Sequence, residues 1–161
     1  ALIEFAERFR KRGQVQSQLR AVSAALRKRM PFVPGQSHYA ASAQDAFAAR
    51  SGAAEDQVHV FLACCRHLGV PARFVSGYLA EPGSTDASDA THAWAEAWVG
   101  EVWRSFDVAR GSTVDEEYVK VAMGADYLDA CPVRGVRVGG ENEQLTATTT
   151  VEVSGAAAGA R

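Results

Sequence analysis

His92 and Asp107 are the two residues of this chain whose types and separation could do chemistry together. His92 opens the alternating run THAWAEAWV (91–99), and Asp107 lies near the end of VWRSFDV (102–108), with Gly100 and Glu101 between them. Alternation of this kind reads as two strands, and the two-residue connection as a hairpin. In an antiparallel pair about that turn, position 92 falls opposite position 109, within one pleat of Asp107 given a bulge or a longer loop. An imidazole oriented by a carboxylate is the base half of a nucleophile–His–Asp triad. Taken alone, a His and an Asp on neighbouring strands are more often surface or structural residues.

Other constellations carry less. Asp56 and His59 stand one helical turn apart and could be two ligands of a metal, with His92 or Glu96 as a third. The simpler reading is that Asp56 caps a helix and His59 is a partly buried, hydrogen-bonded histidine, so neither metal nor cofactor is expected. Trp94, Trp98 and Trp103 could line a groove, but Trp94 and Trp98 alternate with small residues and are expected to pack the sheet against a central helix. Ser76 and Ser105 lack a G-x-S-x-G elbow, and no phosphate-binding glycine motif is present.

The elements that must position these residues follow from periodicity. Leu2, Phe5 and Phe9, then Val15, Leu19, Val22, Leu26 and Met30, recur at three- and four-residue steps, which predicts two amphipathic helices broken near Gly13. MPFVPG (30–35) is a turn or extended passage. Ser42 with Asp45 three residues on starts a short helix that stops at Ser51-Gly52. The segment from Ala54 to Leu68 is one helix, with Glu55 and Asp56 in its first turn, Gly69 as its stop and Pro71 beyond. Its apolar positions extend around most of the cylinder, so it is central and covered on most sides. After Pro71 the period falls to near two: strands at 72–80, 91–99 and 102–108, then shorter candidates EYVKVAMG, VRGVRV and LTATTTVEV. Helices followed by mainly antiparallel strands make an α+β domain.

Composition bounds the alternatives. At 161 residues, 47% apolar and 22% charged, the chain is long enough to build a core without metal or disulfides. No window approaches the roughly 18 continuous apolar residues of a membrane span. Three cysteines, Cys64, Cys65 and Cys131, are an odd and sparse set that predicts thiols and a cytoplasmic location. The opening ALIEFAERFRKRG lacks the order of a signal peptide, and with no initiator Met the chain reads as a piece of something longer. Residues 1–30 carry eight Lys or Arg against two Glu, whereas the remainder carries nine against seventeen Asp or Glu. That basic face could attract an anion, but the plainer expectation is a solvated helical face packed on its own domain, with no nucleic acid as partner.

The stretches FVPG (32–35), SGAAEDQVHVF (51–61), CRHLGVPARFVSGYL (65–79), DATHAWAEAWV (89–99), WRSFDVAR (103–110) and MGADYLDACPVRGV (123–136) together resemble the bacterial transglutaminase-like domain. Members of that family are described as cysteine proteases of papain-like architecture. The resemblance covers about two-thirds of the chain, in family order and spacing, and implies a helix packed on an antiparallel sheet. It implies that His92 is the catalytic histidine and Asp107 the aspartate that orients it. The family's nucleophilic cysteine lies at the start of the central helix, in a pattern like G-V-C-Q-D-x-x-H. Here the matching residues run from Gly52 to His59, and the nucleophile's position holds Ala54. Cys64 and Cys65 lie roughly 15 Å further along that helix and cannot reach His92. Cys131, in a loop before Pro132, is not excluded by position. Glu55, Gln57, Val58, Val108 and Arg110 also depart from the family's usual residues, which favours natural loss over a single engineered change.

The sequence thus predicts basic N-terminal helices over 1–30 that could join a further domain, a transglutaminase-like domain over 31–153 and a loose tail over 154–161. The implied activity is thiol acyl transfer or amide hydrolysis on a peptide or protein substrate, absent here for want of the thiol. The alternative is a non-catalytic peptide- or protein-binding module that retains the cleft.

Overall fold

A computed structural model describes residues 1–10, 13–35, 42–79 and 91–131. The order is α1 (Leu2–Glu7), α2 (Val15–Arg29), α3 (Ala43–Ala49), α4 (Ala54–His67), β1 (Ala72–Leu79), β2 (Thr91–Val99), β3 (Val102–Phe106) and β4 (Tyr118–Gly124). Helices come first and an antiparallel sheet follows, the α+β arrangement expected. Among the described residues no helix is long and apolar enough to cross a membrane. The strand candidates VRGVRV and LTATTTVEV and the tail lie outside the described residues.

Local chemistry sets the helix limits. Gly13, at φ 95°, makes the break between α1 and α2. The Ser42 hydroxyl accepts the Asp45 N–H at 3.2 Å and so caps α3. That helix ends at Arg50, which takes the left-handed conformation itself, one residue before the predicted stop. At the end of α4, the Val70 N–H reaches the Cys65 carbonyl (2.9 Å) and the Gly69 N–H the Arg66 carbonyl (3.1 Å). These two bonds are a Schellman motif, made possible by Gly69 at φ 77°.

α4 is the centre of the packing. It contacts α1, α2 and α3 on one side and β1 and β2 on the other. Val58, Val60, Phe61, Leu62, Cys64 and Cys65 are all fully buried in one core with Phe5, Leu19, Val22, Leu26 and Met30 of the N-terminal segment. Each such large apolar side chain contributes roughly 1.5–3 kcal/mol by leaving water, so α1 and α2 belong to the same core as the helix they cover.

The sheet order is β3-β2-β1-β4, all antiparallel. Its α4 side carries Phe74, Ala93, Ala95, Ala97 and Phe106, all members of the shared core. Small alanines let the helix approach closely. Alternation then sends His92, Trp94, Glu96 and Trp98 to the opposite face. The expectation that Trp94 and Trp98 pack the sheet on the central helix is therefore overturned. Trp94 is buried against the edge of the Tyr118 ring, with centroids 5.4 Å apart. Trp98 is 41% exposed and packs edge-on against Trp103.

Candidate active site

The start of α4 is built around one carboxylate. Ala53 is extended (φ −74°, ψ 178°), and its N–H donates to Asp56 Oδ2 at 3.0 Å. This is the half of a capping box that a side chain at the fourth position can supply; alanine at 53 has no acceptor for the other half. Gly52 packs directly on that carboxylate, where a Cβ would lie 2.6 Å from Asp56 Oδ2. Its carbonyl accepts the Val33 N–H at 2.9 Å, which ties the 31–35 segment to the helix start. Gly52→Ala is therefore expected to push Asp56 off its cap and lower stability by about 1–2 kcal/mol. Chemical denaturation checks this, and an unchanged midpoint would refute it.

The histidine and aspartate come from the hairpin. Gly100 (φ 62°) and Glu101 (φ 64°) make the two-residue turn, and the ladder runs from Val99↔Val102 to Ala95↔Phe106. β3 stops at Phe106, before the predicted end at 108, because the chain turns at Asp107: its carbonyl accepts the Gly111 N–H at 2.9 Å. The turn swings the Asp107 side chain to His92, and Asp107 Oδ2 lies 2.7 Å from His92 Nε2. With Nε2 tied to the carboxylate, Nδ1 is the ring nitrogen left to exchange a proton with a reacting group. Both side chains are nearly inaccessible, at 7% and 0%.

Asp107 has two further donors. The Tyr118 hydroxyl donates to Oδ2 at 2.7 Å, and the Arg110 N–H donates to Oδ1 at 2.9 Å. Burial by itself would raise this carboxyl, but the His92 bond and charge, with the Arg110 and Tyr118 bonds, outweigh it and hold the group below its ordinary value. Tyr118 moves the other way, up to about 12, through burial and its bond to the carboxylate. Tyr118 also meets Ser112 Oγ at 3.0 Å, so a chain of four polar side chains runs Ser112, Tyr118, Asp107, His92. Sequence reasoning missed Tyr118. The only available signal was its place at the head of a strand candidate, which does not say that its hydroxyl crosses β1 to reach the hairpin.

His92 and Ala54 line the same small open pocket of about 150 Å³, with Phe32, Pro34, Glu55 and Thr91 around them. Ala54 is the first residue of α4, so the pocket lies at a helix N-terminus, where unpaired N–H groups and the helix dipole favour negative charge. The other thiols are elsewhere. Cys64 and Cys65 are buried far along α4; burial pushes the Cys64 thiol up to about 12 and raises Cys65 as well. Cys131 Sγ lies 3.8 Å from the Tyr127 hydroxyl and does not line the pocket. None of the three is in a disulfide.

Asp56 is occupied by its cap, while His59 faces Phe74, with ring centroids 5.3 Å apart. The hydrogen bond expected for His59 is not found at Nε2, which has no partner among the described residues, and burial lowers its pKa. Glu96 pairs with Arg73 at 2.6 Å and with Lys120. Among the described residues no group of three or more His, Cys, Asp or Glu is placed to hold a metal ion.

The chain is similar to several known proteins. It is 34% identical over 128 residues to an uncharacterized protein of Mycobacterium leprae, ML0607, covering 74% of this chain and 45% of that protein. It is 32% identical to the uncharacterized protein Rv2569c of Mycobacterium tuberculosis, covering 73% of this chain and 41% of that one. The chain thus spans less than half the length of these relatives. Among solved structures, a proposed cysteine protease from Cytophaga hutchinsonii matches with a TM-score of 0.71 and 30% identity, over 81% of this chain and 44% of that one. LapG of Legionella pneumophila matches at TM-score 0.60 and 14% identity, over 75% and 70% of the two chains, which is a likeness of fold. A family model, the transglutaminase-like superfamily, matches residues 3–108. That span runs from α1 through the helix start at 54 to the aspartate beyond β3, and on its strength the chain belongs to the transglutaminase-like superfamily.

Proposed function

We propose that this domain is built for thiol acyl transfer or amide hydrolysis and lacks the thiol: Ala54 holds the nucleophile's position, His92 is the acid and base, and Asp107 orients His92. The observation that carries this reading is the shared pocket, in which the first residue of α4 meets an imidazole whose far nitrogen is fixed by a buried carboxylate at 2.7 Å. A side chain at 54 stands where the helix N-terminus and an imidazolium would together stabilise a thiolate.

With cysteine at 54, the thiol proton would pass to His92 Nδ1 and the sulfur would attack the substrate carbonyl carbon. His92 would return that proton to the departing amine as the carbon–nitrogen bond breaks, leaving a thioester. Water or a second amine would then attack the thioester, giving its proton to His92, and the sulfur would leave as thiolate. N–H groups at the helix start would hold the oxyanion of each tetrahedral intermediate. The methyl group of Ala54 can neither attack nor exchange a proton, so the chain as it stands is inactive in this reaction. A peptide or protein is the substrate class that fits an open surface pocket and the description given to the Cytophaga neighbour.

Restoring the thiol tests the reading. Ala54→Cys is expected to release a burst of one equivalent of p-nitrophenol per chain from p-nitrophenyl acetate, and Ala54→Cys with His92→Ala is expected to release none. A restored thiol that gives no burst above an ordinary cysteine would leave a cleft without chemistry, and a binding module would be the better description.

A further inference from the structure

A second concave surface lies along β3; it reaches Asp107 at one end but contains neither His92 nor Ala54. Among the described residues β3 is an edge of the sheet. Its two-residue turn makes Val99 and Val102 the closing hydrogen-bonded pair, so alternation of the ladder directs the N–H and C=O groups of Trp103 and Ser105 away from β2. Facing that edge is a stripe of α2 at helical spacing: Gln16, Arg20, Ser23 and Arg27. Between them runs an open groove of about 600 Å³, within the range of roughly 300–1,000 Å³ seen for ligand sites.

The groove has three arginines against one carboxylate, that of Asp107, which is buried and paired with His92. Arg20 and Arg27 project from α2 and Arg104 from β3, all three exposed. None of them is within ion-pair distance of a carboxylate among the described residues. Arg27 donates to the Arg110 carbonyl at 2.7 Å, which fixes its position without neutralising it. Arg20 and Arg27 are two of the eight Lys or Arg of residues 1–30, in a chain whose remainder is net negative.

We propose that this groove binds an extended acidic peptide segment, added as a strand to the outer edge of β3 with its carboxylates on Arg20, Arg27 and Arg104. The strand edge selects the class. Two outward N–H donors and two outward C=O acceptors are satisfied together by a peptide backbone, whereas a phosphate or a nucleic acid backbone offers acceptors only. The guanidiniums then choose among peptides, since planar forks pair best with carboxylates.

The probe is an acetylated hexapeptide of alternating Glu and Val, titrated into the ¹⁵N-labelled chain. The Trp103 and Ser105 amides are expected to shift on binding. Affinity is expected to fall at least tenfold in an Arg20→Glu, Arg104→Glu variant whose amide spectrum shows the fold intact. It should fall equally when Lys replaces Glu in the peptide, or when alternate peptide nitrogens are methylated. No shift at those amides would overturn the proposal. So would equal binding by the methylated peptide or by a six-residue oligothymidylate, since either would make the groove a site for anions in general.

Discussion

The thiol of an Ala54→Cys variant is expected to react with iodoacetamide about tenfold faster at pH 6 than an ordinary exposed cysteine. An unperturbed thiol, with a pKa near 8.5, is only ~0.3% ionised at that pH. A thiol at a helix N-terminus beside an imidazole falls within the lowered range of about 3.5–7.5; at ~6 it would be half ionised, a gain of roughly 150-fold in thiolate. A less basic sulfur is also a weaker nucleophile, by about half a decade for each unit of pKa, which removes roughly a factor of 13 and leaves about ten. The other cysteines set the background: Cys64 and Cys65 are buried, and Cys131 is resolved from residue 54 by peptide mass spectrometry. His92→Ala should return residue 54 to the ordinary rate. Labelling at 54 that is no faster than that of a free thiol, or that ignores His92, would mean that the pocket does not build the charge environment argued for it.

Asp107→Asn is expected to cost about 3 kcal/mol at neutral pH. The substitution keeps the shape but removes the charge that faces His92 and an acceptor that takes two donors, in a side chain that is fully buried. Charged hydrogen bonds contribute roughly 1.5–3 kcal/mol each, and a partner left unpaired in the interior costs about as much. The loss depends on pH in a definite sense. The carboxyl is held below its ordinary value of 3.8 in the folded chain, so its ionised form stabilises the fold fully above that value. That contribution disappears as pH falls through the lower, folded pKa. Urea unfolding curves of the parent and the variant should therefore be well separated at pH 7 and converge below about pH 4. A separation that stays constant from pH 7 to pH 3 would show that lost packing, rather than the charge, is what the variant reports.

Local signals in the chain and the contacts of the folded molecule agree unevenly, and the pattern has a physical reason. Features written in neighbouring residues are legible: the break at Gly13, the Ser42 cap, α4 from Ala54, the Gly69 stop and the hairpin at Gly100-Glu101 all depend on chemistry within a few positions. The pairing of His92 with Asp107 was also within reach, because hairpin register is fixed by its turn. Alternation, by contrast, says which residues share a face of a strand but not which face meets the helix, so the sequence alone does not place Trp94. Size decides it: alanines at 93, 95 and 97 admit α4, and the Trp94 indole goes to the face that Gly77 leaves open. A Cβ at Gly77 would lie 2.7 Å from the Trp94 ring and 2.0 Å from the Val119 carbonyl oxygen. Tyr118 was invisible for a related reason, since its contact with Asp107 depends on how β4 crosses the sheet. The identity of residue 54 as a site position came from resemblance alone, because an alanine announces no chemistry.

The four-residue polar chain from Ser112 to His92 has a consequence for how this domain can change over generations. Its buried member Asp107 holds both His92 and the Tyr118 hydroxyl, so removing it leaves a buried imidazole without that partner, and folding by itself favours keeping the pair. Ala54 is under no such constraint, because a methyl group on the first turn of α4 costs the helix nothing. On the function proposed above, the half of the site made of hydrogen bonds is favoured by folding, whereas a nucleophilic sulfur at 54 could be lost without a structural penalty. On that proposal, an intact His–Asp pair in such a domain is a record of its stability requirements, and the residue at the helix start keeps the record of its chemistry.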